Sequence, residues 1–169
     1  LDALAALDGE TVGRLLAARG ALEAGDVALA RSHLAAVGAK GRQTAWARQL
    51  RFQLALAEAR NAWGSGTVGG HPARALEILV SALADAKGES YAVEGFIEEA
   101  RILARAGGSA DEVTASLSAA LKVPGAARPE TLDLALNLLL DSGLDADVRQ
   151  LLDAFVTGAK DDPKTVSDV

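Results

Sequence analysis

The feature that most constrains this fold is a two-helix unit divided by glycine, and it is clearest at residues 11–38. There the segment TVGRLLAARGALEAG is followed by DVALARSHLAAVG. The first apolar helix pattern ends at Gly25, because glycine readily adopts the backbone conformation that terminates a helix. Asp26 can cap the second helix by accepting hydrogen bonds from its free N–H groups, and Gly38 ends that helix. Repetition of such a unit predicts a stack of helical hairpins.

Similar units recur along the chain and predict about eight helices in four hairpins. In the second helix of each unit, a small or apolar residue is followed by leucine four positions later and by an apolar residue three positions after that. The four copies are Ala30, Leu34 and Val37; Ala75, Leu79 and Ala82; Val113, Leu117 and Ala120; and Val148, Leu152 and Phe155. This spacing predicts one helical repeat domain over residues 1–158 and a polar tail or linker at 159–169. The alternative is an ordinary helical bundle with chance similarity.

The segment GSGTVGG at residues 64–70 interrupts the second unit. Glycine-rich loops can bind phosphate, but this one lacks the Lys and Ser/Thr that complete a P-loop, and it does not follow a strand. We interpret it as a flexible loop whose rim can contact a partner. Pro72 then opens the next helix at its first position, where the missing N–H has no cost.

The composition independently predicts an all-α protein. Half of the residues are hydrophobic but only 4 % are aromatic, so the core must consist largely of Ala, Leu and Val. Ala and Leu are strong helix formers. Both tryptophans, Trp46 and Trp63, fall on one predicted helix and are expected to pack in this core.

The charge and hydropathy of the chain exclude two classes of partner. Lys and Arg number 17 against 23 Asp and Glu, giving a net charge of −6. An acidic surface repels the phosphate backbone, so we expect no nucleic-acid partner. No apolar run reaches the length of about 18 residues that indicates a membrane-spanning helix, so we expect no membrane insertion by this segment.

Residue types that carry catalysis or bind metals are sparse. The chain has no cysteine, and its two histidines, His33 and His71, each lack a second histidine within one helical turn. Glu94, Glu98 and Glu99 form an acidic patch on a predicted helix. Acid–base catalysis also needs a cleft that shifts the pKa of such carboxylates, and nothing in the sequence indicates one. We therefore expect a noncatalytic protein without catalytic, metal or cofactor residues.

The segment GDVALARSHL at residues 25–34 resembles the turn and second helix of a tetratricopeptide repeat. In that family a small residue in the leading helix is followed by a turn with glycine and by an alanine that begins the packed face of the second helix. The matching residues are Ala18, Gly25 and Ala30 in the first unit, Ala57, Gly64 and Ala75 in the second, and Ala100 and Gly107 in the third. The last unit departs from the pattern at Leu136, and the aromatic positions of the family are mostly empty.

The resemblance implies a right-handed superhelix of stacked antiparallel helix hairpins, an α-solenoid whose leading helices line a concave face. In that family the concave face usually binds a peptide or protein segment, so the resemblance implies a protein partner. The positions that it places on this face carry both signs of charge and are Arg19, Glu23, Arg51, Glu58, Asn61, Arg101, Arg105, Asn137 and Asp141.

The segment QLRFQLALAEA at 49–59, followed by a glycine turn and PARALEIL, is similar in style to repeat regions of bacterial exopolysaccharide (cellulose) export proteins. This likeness favours a periplasmic over a cytoplasmic location, although a cysteine-free sequence does not fix the compartment. Three functions follow as alternatives: an interaction or assembly module of a larger bacterial protein, a periplasmic scaffold for polysaccharide export machinery, and a helical domain of an enzyme whose active site lies mostly outside this segment.

Overall fold

The computed structural model describes residues 8–64, 70–143 and 148–160. This part of the chain contains nine α-helices and no β-strand, which confirms the predicted all-α fold. The helices are α1 (Gly9–Glu23), α2 (Val27–Ala35), α3 (Ala39–Arg42), α4 (Ala45–Trp63), α5 (Pro72–Asp85), α6 (Ala92–Ala106), α7 (Ala110–Leu121), α8 (Pro129–Asp141) and α9 (Val148–Lys160). None of these helices has the combination of length and apolarity that a membrane crossing requires. The centre of the glycine-rich loop and the polar tail beyond Lys160 lie outside the described residues.

The long helices pack as four pairs of sequence neighbours: α1 with α2, α4 with α5, α6 with α7, and α8 with α9. Successive pairs also contact each other. Helix α4 contacts both helices of the first pair, α6 contacts both helices of the second, and α7 contacts both helices of the last. Packing between consecutive hairpins is what a repeat array requires, whereas the right-handed superhelix stays a prediction.

The first hairpin forms around the predicted turn, but its second helix, α2, ends at Ala35 and not at the predicted Gly38, which instead precedes α3. Asp8 caps α1 by accepting a hydrogen bond of 2.7 Å from the Thr11 N–H. The turn contains Gly25 at φ 76°, a conformation that L side chains rarely adopt. Asp26 then caps α2 through a 2.9 Å hydrogen bond from the Leu29 N–H.

The start of α7 forms a capping box between Ser109 and Glu112. The Ser109 side chain accepts from the Glu112 N–H at 3.3 Å, and the Glu112 carboxylate accepts from the Ser109 N–H at 2.8 Å. Two of the N–H groups that a helix start leaves unpaired are thereby satisfied.

The short helix α3 was not predicted from the sequence. It occupies the connection before α4, whose start is fixed by Thr44 accepting from the Ala47 N–H at 3.2 Å. Gly41 lets α3 close against the first hairpin, because a Cβ at this position would lie 2.5 Å from Thr11 Cγ2 and 2.7 Å from Val37 Cγ1.

The core is built mainly from Ala and Leu, in agreement with the composition. Its buried clusters follow the order of the hairpins, from one around Leu15 and Leu50 to one around Leu117 and Leu139. Both tryptophans are partly buried and pack against core clusters, Trp46 in the first and Trp63 in another, so their predicted packing role is confirmed.

Gly95 on α6 has no side chain, and this lets α6 pack closely against the second hairpin. A Cβ at Gly95 would lie 2.6 Å from Phe52 Cζ on α4 and 2.9 Å from Leu83 Cδ2 on α5. The Phe52 ring also contacts Tyr91 just before α6, with ring centroids 5.2 Å apart. This contact sets the position of α6 beside α4.

Candidate functional site

The four leading helices, α1, α4, α6 and α8, share two adjoining clefts. The first cleft, of about 460 Å³, is lined by α1, α4 and α6. The second, of about 570 Å³, is lined by α4, α6 with the residues just before it, and α8. Arg60 and Glu94 line both clefts, so the two meet at this pair of side chains. We call the combined surface the leading-helix groove.

A buried carboxylate network ties α4 to α6 within the groove. The Glu98 side chain is almost fully buried and accepts from Arg101 Nη1 at 2.8 Å and from Arg60 Nη2 at 3.3 Å. Arg60 Nη2 also donates to Glu94 Oε1 at 2.9 Å. Burial acts to lower the pKa of Arg60, but the hydrogen bond to Glu94 and the charges of Glu98 and Glu94 outweigh it, so the pKa is raised. A charged arginine therefore compensates the buried carboxylate.

The acidic patch predicted on α6 divides between two surfaces. Glu94 and Glu98 line the second cleft, whereas the Glu99 carboxylate accepts a 2.9 Å hydrogen bond from Ser116 Oγ on α7. Burial raises the pKa of Glu99 more than the Ser116 hydrogen bond lowers it. The sequence did not indicate a cleft beside Glu94 and Glu98, because neighbouring helices supply its walls. No group of His, Asp or Glu in the described part of the chain has the arrangement of a metal site.

The first cleft presents amide and apolar groups. Gln49 and Gln53 are exposed on α4, four positions apart, and both line the cleft with the partly buried Trp46. At the rim, Arg19 Nε donates to Glu23 Oε1 at 2.7 Å. Each glutamine amide offers both donors and an acceptor, so this cleft can form hydrogen bonds to a peptide backbone.

The second cleft combines an apolar floor with an acidic rim. Ile97 and Leu134 face the cleft from α6 and α8, and 45 % of Leu134 is exposed. Glu130 lies one turn before Leu134 on α8 and lines the same cleft. An exposed leucine beside a carboxylate gives this cleft a place for a ligand with both apolar and charged parts.

The structure brings together some of the residues predicted on the binding face and separates others. Arg19 and Glu23 line the first cleft, and Arg101 lines the second. Arg51 and Glu58 line a different cleft, between α4 and α5. The remaining predicted residues are exposed but are not among those that line the three clefts: Asn61, Arg105, Asn137 and Asp141.

The cleft between α4 and α5, which we call the opposite cleft, has a volume of about 680 Å³. Many of its charges are engaged within the protein. Arg31 pairs with Glu58 at 2.8 Å, and Arg74 pairs with Glu77 at 2.7 Å. Arg51 Nη2 donates to the Arg42 carbonyl oxygen at 2.7 Å. Because these charged groups already have partners within the protein, few of them are available to bind a ligand in the opposite cleft.

The two histidines lie apart from the three clefts. His33 is half-buried on α2, and His71 is exposed immediately before α5, where no side-chain hydrogen bond caps the helix. Neither histidine therefore belongs to a described cleft.

Residues missed by the sequence analysis carry much of the groove: Gln49, Gln53, Arg60, Glu130 and Leu134. The signal that could have found the first three is the spacing of Gln49, Gln53 and Arg60, which places them on one side of α4.

Comparisons with known proteins found no matching family model, no similar curated protein and no similar solved structure.

Proposed function

We propose that this chain is a noncatalytic interaction module that binds an extended protein segment in the leading-helix groove. The observation that carries the proposal is the pair of adjoining clefts, about 460 and 570 Å³, that runs across four leading helices. An elongated surface of this kind suits an extended segment, which can place alternate side chains into successive clefts.

The spacing of two amide side chains supports an extended ligand. Gln49 and Gln53 are four residues apart on α4, which corresponds to about 6 Å along a helix axis. Two residues of an extended segment span about 6.6 Å, so successive amides on one edge of such a segment match this spacing. Both glutamines can therefore pair with the ligand backbone without regard to its side chains.

The Arg60, Glu98 and Arg101 network supports the proposal because it holds the groove in shape before binding. Glu98 and Arg101 belong to α6, and Arg60 connects them to α4. A preformed site loses less conformational freedom when it binds, which raises affinity for a given set of contacts.

The groove suits a protein segment better than a sugar chain. Sugars are commonly held by stacking on exposed aromatic faces. In the groove, Trp46 is partly buried against the core, and the partly buried Tyr91 contacts the Phe52 ring. A scaffold role within a larger bacterial protein is consistent with segment binding. The periplasmic polysaccharide export scaffold and the enzyme domain stay predictions of the sequence analysis.

The proposal is tested by selecting binders from a random dodecapeptide library displayed on phage. The affinity of the best selected peptide is then measured by fluorescence anisotropy for wild type and for a Gln49→Ala, Gln53→Ala double variant. Loss of two backbone hydrogen bonds, each contributing about 1 kcal/mol, should weaken binding by roughly tenfold or more.

The matched control is a Glu77→Ala, Ser81→Ala double variant. These residues are also exposed, four positions apart, and line the opposite cleft from α5. The control should bind as wild type does. A peptide whose affinity falls in the control and not in the glutamine variant would contradict the groove assignment.

A further inference from the structure

We infer that the second cleft of the leading-helix groove recognises a basic and an aliphatic side chain two positions apart in the bound segment. The inference rests on the proposed function, since it specifies the chemistry of the segment that the groove takes. Its grounds are the charge balance of the cleft, the exposure of Leu134, and the spacing of Leu134 from Glu130.

Carboxylates outnumber guanidinium groups in this cleft. The ionisable side chains other than tyrosine that line it are Arg60, Glu94, Glu98, Arg101 and Glu130, three acids and two bases. Both arginines are already bound to Glu98, and Arg60 also binds Glu94. An anionic ligand would have to displace these carboxylates, whereas a cationic ligand is attracted by the surplus negative charge.

Glu130 is the acceptor best placed for that cation. It is exposed on the first turn of α8, and its carboxylate forms no ion pair or hydrogen bond with the rest of the described chain. A Lys or Arg of the ligand can therefore pair with Glu130 without breaking an internal contact. Glu94, at the junction of the two clefts, adds to the negative potential there.

The exposed surface of Leu134 identifies the neighbouring position. Leu134 is 45 % exposed and lines the cleft together with the buried Ile97, so an aliphatic ligand side chain placed there would bury apolar area of Leu134. Glu130 and Leu134 are four residues apart on α8, about 6 Å along the axis. Side chains on one face of an extended segment are two residues apart, about 6.6 Å, so one residue separates the basic side chain from the aliphatic one.

The net charge of the chain favours the same class of ligand. A charge of −6 attracts cationic segments over a range set by the ionic strength. Binding of a basic segment should therefore weaken as salt is raised, and binding of an acidic segment should not.

The test compares peptides selected from the phage-displayed random dodecapeptide library on wild type, on Glu130→Gln and on Glu77→Gln. The last variant removes the same charge from an exposed residue on α5, outside the groove. Wild type and Glu77→Gln should enrich peptides with Lys or Arg two positions from Leu, Ile or Val, in either direction. For the best synthetic peptide, Glu130→Gln should lower affinity about two- to fivefold, as expected for loss of an exposed ion pair. Changing the basic residue of that peptide to Glu should lower affinity further.

Circular dichroism and thermal unfolding of each variant show that it is folded. Enrichment of acidic peptides, no charge preference, or equal affinities for Glu130→Gln and wild type would overturn the inference. If such peptides still require Gln49 and Gln53, the segment-binding function stands without it. A library that yields no binder at all would overturn both.

Discussion

Glu98 on α6 lies 3.3 Å from Arg60 on α4, across the point where the two clefts meet, and keeps only 5 % of its surface exposed. Arg101, one turn along α6, binds the same carboxylate oxygen at 2.8 Å. One buried acid thus has two basic partners, of which one belongs to its own helix and the other to a neighbouring hairpin. Glu98 therefore links α6 to α4 and also forms part of the groove wall.

The first prediction concerns this shared carboxylate. Arg60→Ala or Arg101→Ala alone should destabilise the protein by about 1 kcal/mol, because Glu98 keeps one partner. The double variant should lose about 3 kcal/mol or more, since it leaves a buried charge without compensation. Urea denaturation of the four proteins gives the coupling energy of the cycle. If the losses in unfolding free energy of the two single variants simply add in the double variant, the two arginines do not jointly compensate the charge of Glu98.

The second prediction concerns the close approach of α6 to Phe52. Gly95→Ala should destabilise the fold by about 1–3 kcal/mol, because the added Cβ meets the Phe52 ring and Leu83. Gly13→Ala is the control, since Gly13 lies inside α1 and a Cβ there has no neighbour within 4 Å. That change should stabilise by up to about 1 kcal/mol through helix propensity. Equal effects of the two substitutions on the midpoint of denaturation would argue against tight packing at Gly95.

The third prediction follows from the raised pKa of Glu99. Because the folded-state pKa lies above the unfolded value, the native state binds more protons between the two, and stability falls as pH rises through that interval. Glu99→Gln removes this loss and can keep the contact with Ser116. Its melting temperature relative to wild type should therefore rise from pH 4 to pH 7.

Glu77→Gln provides the reference for an exposed acid on another helix. A difference between Glu99→Gln and wild type that is constant over this pH range, or that shrinks towards pH 7, would contradict the sign of the pKa shift.

The fourth prediction tests the cap of α2. Asp26→Ala should cost about 1 kcal/mol, because the Leu29 N–H loses its acceptor. Asp26→Ser should retain most of the stability, since a hydroxyl can accept the same hydrogen bond. If thermal unfolding shows the two variants to be equally destabilised, the side-chain hydrogen bond is not what holds the start of this helix.

Local signals explain why the helices could be predicted from the sequence. The turn at Gly25 and Asp26 and the box formed by Ser109 and Glu112 depend on residues within four positions of each other. Helix α3 could not be predicted in the same way. Its closure depends on contact between Gly41 and Thr11, which are distant in sequence and meet only when α1 and α4 pack.

The groove was predicted only in part, because α4 has neighbours on several sides. Its buried residues are distributed around the helix, so its polar residues occupy two separate faces. Arg51 belongs to the face of the opposite cleft and Arg60 to the leading-helix groove. Periodicity alone does not say which of these faces meets α1 and α6, and that choice decides which side chains form the groove.

Amide chemical shift mapping with a peptide selected from the dodecapeptide library tests the central claim most directly. A chain of 17.3 kDa is small enough for residue-by-residue assignment. The account predicts that the largest shifts occur along the leading helices, at Gln49, Gln53, Ile97 and Leu134. Shifts concentrated on α5 around Ser81 and Ala82 in the opposite cleft would contradict it.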